Sequence, residues 1–499
     1  MILTVKGEIN EYYVQTLCML FFPGEKYLRE GDDGAREDEP RAAVEVIDRD
    51  DGSVFSVASF SSAIGNGRGE GVCMASESEE PERRRKIAAG RAVYAAGREV
   101  FGAAPPWGIL TGVRPSKIAT EYLRAGNGVY ETRRILRDEY MVDRTKAALV
   151  TSVARAEMRL TDHLPGNMCS IYVSIPFCPS RCAYCSFVSY TSSKLLSLIE
   201  DYFDRMLAEI DGVCGVIREL GLKVASVYIG GGTPSILSAD QIARMLDRIN
   251  CNIDRSDLLE FTLEAGRPDT ITREKLSAAA SGGVTRISVN PQTLDDSVLR
   301  TIGRNHTAAD FFDAYEIARE SGIRTVNVDL IAGLPGDTLS GFRRTFDRIT
   351  ELDPENITLH TFCVKRAADL AKQGDVYDPR NSSVAKSVEY ARLAARRSGY
   401  LPYYMYRQKN TVGNLENVGY SKAGHEGLYN IFMMEELHSI FGIGAGAVTK
   451  FVDSRDGGDP RRKIERIFSP KYPYEYLRDD RAEAVRELRR RGFEFFGGC

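Results

Sequence analysis

From position 170 onward, short apolar runs alternate with longer stretches in which apolar residues return every three to four positions. The runs at 171–175, 226–229, 259–264, 286–289, 325–330 and 356–361 read as strands. Their nearly continuous apolar character suits strands buried on both faces. Between them, 195–220, 239–249, 271–280, 308–320 and 339–352 carry helical spacing. Strands joined by connections long enough to hold a helix pair in parallel. Six such units are too few for a closed eightfold barrel. The pattern therefore predicts an α/β fold, a partial (β/α)6 TIM-like barrel open on one side over 166–365. Chemistry in such folds gathers at the strand C-terminal ends.

The flanks follow other patterns. Residues 1–6 read as a strand, and 10–22 as an amphipathic helix ending at Pro23. A charged loop at 30–41 precedes 42–48 and 53–61, which alternate apolar and polar residues as paired strands do. Asp50-Asp51-Gly52 supplies the turn. Helices follow at 78–101, 117–125, 129–140 and 143–160. Residues 1–165 are thus expected to form a small α+β domain with a helical connector. The loop from Pro106 to Pro115 contains the only tryptophan, Trp107, and reads as packed rather than as a binding loop. After 366 the alternation stops. A helix at 382–397, a Tyr-, Gly- and Asn-rich stretch at 400–450 and a basic helix with a Gly-rich tail at 461–499 predict a mostly helical C-terminal domain that covers the substrate side.

Composition changes this picture little. Hydrophobic residues make up 43% and charged residues 27%, as in ordinary globular domains. A net charge of −4 offers no broad basic surface for nucleic acid. The first residues lack a signal-peptide pattern, and no apolar run reaches membrane-spanning length. A cytoplasmic protein without membrane or nucleic-acid partners is expected. Of the ten cysteines, those outside one cluster are scattered like reduced, buried thiols.

That cluster carries the chemistry. Cys178, Cys182 and Cys185 follow the first barrel strand with C-x3-C-x2-C spacing. Structural zinc sites use two ligand pairs, and no second pair stands here. Three thiolates on one loop suit an iron–sulfur cluster with one iron left open to a small molecule. After the second strand comes Gly230-Gly231-Gly232-Thr233-Pro234-Ser235, which is either a ligand cradle or a tight strand-to-helix turn. Glu264, Gln292 and Arg304 follow later strands, and Asp329 lies within the fifth. Each alone could be a satisfied buried polar group. Together, at successive strand ends on the cysteine side, they predict a pocket for ribose and carboxylate groups.

The run Tyr172-Val173-Ser174-Ile175-Pro176-Phe177-Cys178, with Cys182, Tyr184 and Cys185 and the Gly-Gly-Gly-Thr-Pro-Ser loop, resembles the radical S-adenosylmethionine enzymes. Within them the chain looks like the oxygen-independent coproporphyrinogen III dehydrogenase family, in its variant with an extra N-terminal domain. The resemblance implies a [4Fe–4S] cluster on Cys178, Cys182 and Cys185, with S-adenosylmethionine on its open iron. It implies that Tyr184 flanks the adenine, and that Tyr172 lies beside the cluster and the methionine moiety. Gly231, Gly232 and Thr233 would line the methionine end, and Arg304 would face the methionine carboxylate. Glu264 and Gln292 would face the nucleoside, and Asp329 a ribose hydroxyl. The implied reaction converts two propionates of coproporphyrinogen III to vinyl groups, with a one-electron donor such as a flavodoxin or ferredoxin as partner.

Two features depart from that family. Phe187 stands where its best-characterised members carry a fourth cysteine, an ending shared with relatives that act as haem chaperones. Those relatives carry His-Asn-x-x-Tyr-Trp. The nearest stretch here, His425-Glu426-Gly427-Leu428-Tyr429-Asn430, matches in part and reads as structural. Tyr403 to Thr411, with the glycines near 413 and 442–446, either faces a tetrapyrrole or packs between domains.

Overall fold

The computed structural model describes residues 1–22, 25, 27–29, 39–75, 80–185, 189–363, 382–408, 411–453 and 463–497. Most of the expected 30–41 loop therefore lies outside the described residues. The chain divides into two compact units. The first comprises Met1–Arg155 with Met405–Glu416, and the second holds most of the remainder.

In the first unit, β1 (Ile2–Lys6), β2 (Arg41–Asp48), β3 (Val54–Ser62) and β4 (Gly65–Cys73) form one sheet in that order. β1 pairs with β2 in parallel, and the other pairs are antiparallel. Helices α1 (Glu11–Cys18), α2 (Pro81–Phe101), α3 (Pro115–Arg124), α4 (Val129–Asp138) and α5 (Arg144–Thr161) follow the expected spacing. Strand β4 carries no apolar alternation and is absent from the sequence expectation. Its glycines explain why. A Cβ on Gly71 would stand 2.1 Å from the Ala88 carbonyl oxygen, and one on Gly69 2.2 Å from that of Ala92. One on Gly67 would stand 2.4 Å from that of Ala96. Alternate glycines on the strand thus meet alanines four apart on α2, and the two backbones touch. The Trp107 loop is packed. Its indole N–H donates to Glu416 at 2.9 Å, Lys146 pairs with the same carboxylate, and Arg407 lies over the ring at 5.5 Å.

The second unit carries the barrel. Strands β5 (Met168–Ile175), β6 (Lys223–Gly231), β7 (Glu260–Leu263), β8 (Arg286–Ser288), β9 (Thr325–Ala332) and β10 (Asn356–Thr361) pair in parallel, each with the next. The intervening helices are α6 (Ser193–Leu196), α7 (Ile199–Glu219), α8 (Ala239–Asn252), α9 (Arg273–Ser281), α10 (Asp296–Thr301), α11 (Ala308–Glu320) and α12 (Leu339–Leu352). All six expected strands are present, and the fold is the partial (β/α)6 barrel that the pattern implies. One feature is finer than expected. Apolar Ile171, Val173 and Ile175 alternate with Ser170, Tyr172 and Ser174, and Val326 and Val328 alternate with Asn327 and Asp329. The strands are enclosed on both sides, yet one of their two faces is polar.

After α13 (Ser382–Arg397) come β11 (Leu401–Arg407), β12 (Glu416–Ser421), α14 (Leu428–Glu435), β13 (Ser439–Ile443), β14 (Val448–Val452), β15 (Ile464–Phe468), α15 (Pro473–Arg478) and α16 (Arg481–Phe496). Among its described residues this segment holds more helix than strand, with five strands beside the expected helices. Its strands nevertheless extend the barrel sheet at both edges, giving the order β11-β12-β10-β9-β8-β7-β6-β5-β13-β14-β15. A boundary near 366 is therefore crossed by the sheet itself. Among the described residues, no helix is long and apolar enough to cross a membrane.

Candidate functional site

The cysteine loop leaves the end of β5 and is fixed at several backbone points. Cys178 N–H donates to Tyr190 at 3.1 Å, and Tyr190 N–H returns to Pro176 at 2.9 Å. Cys185 N–H donates to the Cys182 carbonyl at 3.0 Å, and Ala183 N–H to Ile302 at 3.0 Å. The glycine loop after β6 lies directly against it. Gly232 N–H donates to Ile175, and Thr233 N–H to Phe177, both at 2.8 Å. Gly231 has φ +111°, in the region that favours glycine. A Cβ on Gly232 would stand 2.5 Å from the Phe177 carbonyl oxygen and 3.0 Å from Cys178 Sγ. These glycines therefore admit the cysteine loop itself, a reason beyond the two that the sequence offers.

The sulfurs have specific neighbours. Cys178 Sγ lies 3.1 Å from Thr233 Oγ1, and Arg267 donates to Cys182 Sγ at 3.0 Å. Burial raises the Cys178 thiol pKa, and nearby Cys185 and Cys182 add to the rise. The Thr233 hydroxyl and the Arg267 charge pull it back. Among the described residues, no three His, Cys, Asp or Glu side chains converge in the geometry of a bound metal ion.

Arg304, beyond α10, joins the loop to the strand ends. It donates to the Gly266 carbonyl at 3.1 Å and to the Tyr184 hydroxyl at 3.2 Å, while its buried Nε meets no acceptor. Gln292 sits at φ +70°, which costs a residue with a side chain about 1 kcal/mol. Its backbone bridges to β9, through its N–H to Asp329 at 3.1 Å and its carbonyl from Ile331 at 3.0 Å. Its side-chain Oε1 is buried without a partner.

Two carboxyl groups occupy the barrel interior. Burial would raise Asp329, but His360 at 3.7 Å, the Asn327 amide at 2.8 Å and the Thr358 hydroxyl hold its pKa below the usual range. Asn290 adds a donor at 2.9 Å. Glu264 is pushed up to about 8, first by burial and then by the Asp329 charge, against opposing effects of Tyr228 and Arg304. The residue as a whole is half-buried. At neutral pH the pair is one ionised and one protonated acid. Beside them Tyr172 stacks on Tyr228 at 6.2 Å, and Tyr228 on Tyr429 of α14 at 4.6 Å.

The structure thus links Tyr184, Gly232, Thr233 and Arg304 to the cysteine loop by direct contacts, pairs Gly231 with Ile175 at the end of β5, and gathers Tyr172, Glu264 and Asp329 inside the barrel. Other candidates go elsewhere. Tyr403 and Tyr404 are buried against Gly419, where a Cβ would stand 2.1 Å from the Tyr404 ring. Gly444 N–H donates to Glu209 at 2.9 Å, and the Tyr202 hydroxyl fills the space beside it. His425 holds Thr325 at 2.9 Å, and its carbonyl accepts from Arg286 and Asn356. His438 meets Ser170 at 2.7 Å. Phe187, Lys409 and Asn410 lie outside the described residues. The sequence reading gave no role to Arg267, Asn290 or Tyr228. For the first two a signal existed, since both stand directly after barrel strands.

Residues 172–349 match the radical SAM superfamily. The chain is 37% identical over 379 residues to the oxygen-independent coproporphyrinogen-III oxidase-like protein HemZ of Bacillus subtilis, covering 75% of each. It is 31% identical over 313 residues to the haem chaperone HemW of the same organism, covering 62% of this chain and 78% of that one. Among solved structures, coproporphyrinogen III oxidase (HemN) of Escherichia coli, a radical SAM enzyme, aligns with a TM-score of 0.46 and 23% identity. That alignment covers 61% of this chain and 69% of that one.

The superfamily uses a [4Fe–4S] cluster and S-adenosylmethionine. The site fits both. It offers three thiols on one loop, a buried guanidinium on a sulfur, and glycines that bring the next loop against it. It also offers Gln292 Oε1 and Arg304 Nε, two buried polar atoms that no protein group satisfies.

Proposed function

This chain belongs to the radical S-adenosylmethionine superfamily, in the family of the coproporphyrinogen III oxidase-like proteins, and on that premise we propose that it oxidatively decarboxylates coproporphyrinogen III to protoporphyrinogen IX. The observation that carries the site is the meeting of the three-cysteine loop, the glycine loop and the Arg304–Tyr184 contact at the ends of parallel strands. The similarity to HemZ supports the choice of substrate.

When bound, the cluster and S-adenosylmethionine would supply one-electron chemistry able to remove a hydrogen atom from a substrate propionate, which would lose CO2 and pass its remaining electron to an external one-electron acceptor to become a vinyl group. The chain's own residues position and shield that event. Cys178, Cys182 and Cys185 hold the cluster, and Gly231, Gly232 and Thr233 present a flat backbone edge beside it. Arg304 holds Tyr184 in place and keeps Nε for a carboxylate, and the Tyr184 ring would flank the adenine. Gln292 Oε1 accepts a hydrogen bond from the nucleoside side. Ionised Asp329 accepts from a ribose hydroxyl, and protonated Glu264 donates. Tyr172 limits water on the barrel side.

Two findings favour a second reading, haem trafficking: Phe187 in place of a fourth cysteine and the similarity to HemW. Against it stands the stretch His425–Asn430, which lacks the second-position Asn and the Trp of the chaperone motif. The test is anaerobic incubation of the reconstituted chain with coproporphyrinogen III, S-adenosylmethionine and a reductant, beside a spectroscopic titration with haem. Vinyl product with weak haem binding supports decarboxylation. Stoichiometric haem binding without product supports trafficking.

A further inference from the structure

Arg267 is 3% exposed, and every acceptor of its guanidinium lies in the cysteine loop. Nη1 donates to the Ser180 hydroxyl at 2.8 Å. Nη2 donates to the Ser180 carbonyl at 2.6 Å and to Cys182 Sγ at 3.0 Å. None of the three is a carboxylate, and the one acceptor that can carry a negative charge is Cys182 Sγ. A buried charge is tolerated when an opposite charge stands beside it.

The backbone holds Arg267 in that position. It leads into the short turn Pro268–Thr270, and Thr270 binds the Arg267 carbonyl through its N–H at 3.1 Å and its hydroxyl at 2.8 Å. Pro268 fixes the next backbone angle. The guanidinium is therefore presented to the loop rather than drawn to it by chance. Arg304, the neighbouring buried cation, directs Nη1 to Gly266 and Nη2 to Tyr184. Hydrogen bonds to sulfur and nearby charge are the levers by which a protein sets the potential of an iron–sulfur cluster.

We propose that Arg267 is a positioning residue that raises the reduction potential of the cluster through a charge-assisted N–H···S bond to Cys182. This rests on the reading of Cys178, Cys182 and Cys185 as cluster ligands. Reduction adds one electron to the cluster, and so one negative charge. The adjacent cation and its N–H stabilise the more negative state more than the oxidised one. Reduction by the external one-electron donor becomes easier, and the cluster passes that electron on at the open iron.

The experiment uses the full chain, reconstituted anaerobically with iron and sulfide and titrated without S-adenosylmethionine. The reduced fraction is followed by electron paramagnetic resonance and by loss of the visible band. Arg267→Lys keeps the charge but not the planar fork, and Arg267→Gln removes the charge. The expected order of midpoint potentials is wild type, then Arg267→Lys, then Arg267→Gln, with wild type highest. Coincident potentials, with only the amount of cluster reduced, make Arg267 a mere tether and overturn the proposal. Where Arg267→Gln retains no cluster, Arg267→Lys decides: a lower potential supports the proposal and an unchanged one defeats it. A wild-type chain that takes up no cluster overturns the ligand reading itself, and this role with it.

Discussion

Glu264 and Asp329 share one barrel interior and are driven to opposite protonation states by different neighbours. Asp329 has donors from two amides and faces His360, so its charge is stabilised. Glu264 meets that charge and a low-polarity surround, so its proton is retained up to about 8. Because its ordinary value is 4.5, the folded chain binds this proton more tightly than the unfolded chain between roughly pH 4.5 and 8. Stability contributed by Glu264 is therefore complete below that window and is lost as pH rises through it. Glu264→Gln, a neutral replacement of similar shape, removes this dependence. Melting temperatures at pH 5 and pH 8.5 check it: the wild type is expected to lose more between the two than Glu264→Gln does. Equal losses would mean that Glu264 is ionised at neutral pH like its partner.

At the scale of elements, what the sequence shows depends on how each element is buried. The six barrel strands are legible because their apolar rows stand out between helices of clear period. Helices 308–320 and 339–352 coincide with α11 and α12 to the residue. Strand β4 is illegible because its inward residues are glycines, chosen for closeness to a helix rather than for hydrophobicity. Gly71→Val should therefore cost about 3 kcal/mol, since its Cβ falls on the backbone of α2 and the strand cannot shift away from both neighbours. Gly166→Ala, where a Cβ meets open space, should stay within about 0.5 kcal/mol. Denaturant unfolding of the two variants measures this. A small cost at Gly71 would show that α2 can lift from the sheet. The candidate site follows the same rule. Cysteines and glycines at fixed spacing were legible, whereas the aim of Arg267 was not. Which loop a side chain reaches depends on register between strands far apart in sequence.

At the scale of the molecule, every residue assigned to the cluster or to S-adenosylmethionine lies in the second unit. Its fold and cofactors follow from the barrel and the family. The C-terminal strands were not legible as parts of that barrel, because their places at its two ends depend on pairing between segments far apart in sequence, as β13 with β5. The claim that joins these scales is that a hydrogen atom passes from a tetrapyrrole propionate to the nucleoside held at the strand ends. The direct measurement is a single turnover, under anaerobic conditions, on coproporphyrinogen III deuterated at the propionate carbon next to the ring. The account predicts 5′-deoxyadenosine carrying one deuterium for each vinyl group formed. Unlabelled 5′-deoxyadenosine, with the porphyrin side chains unchanged, would contradict it.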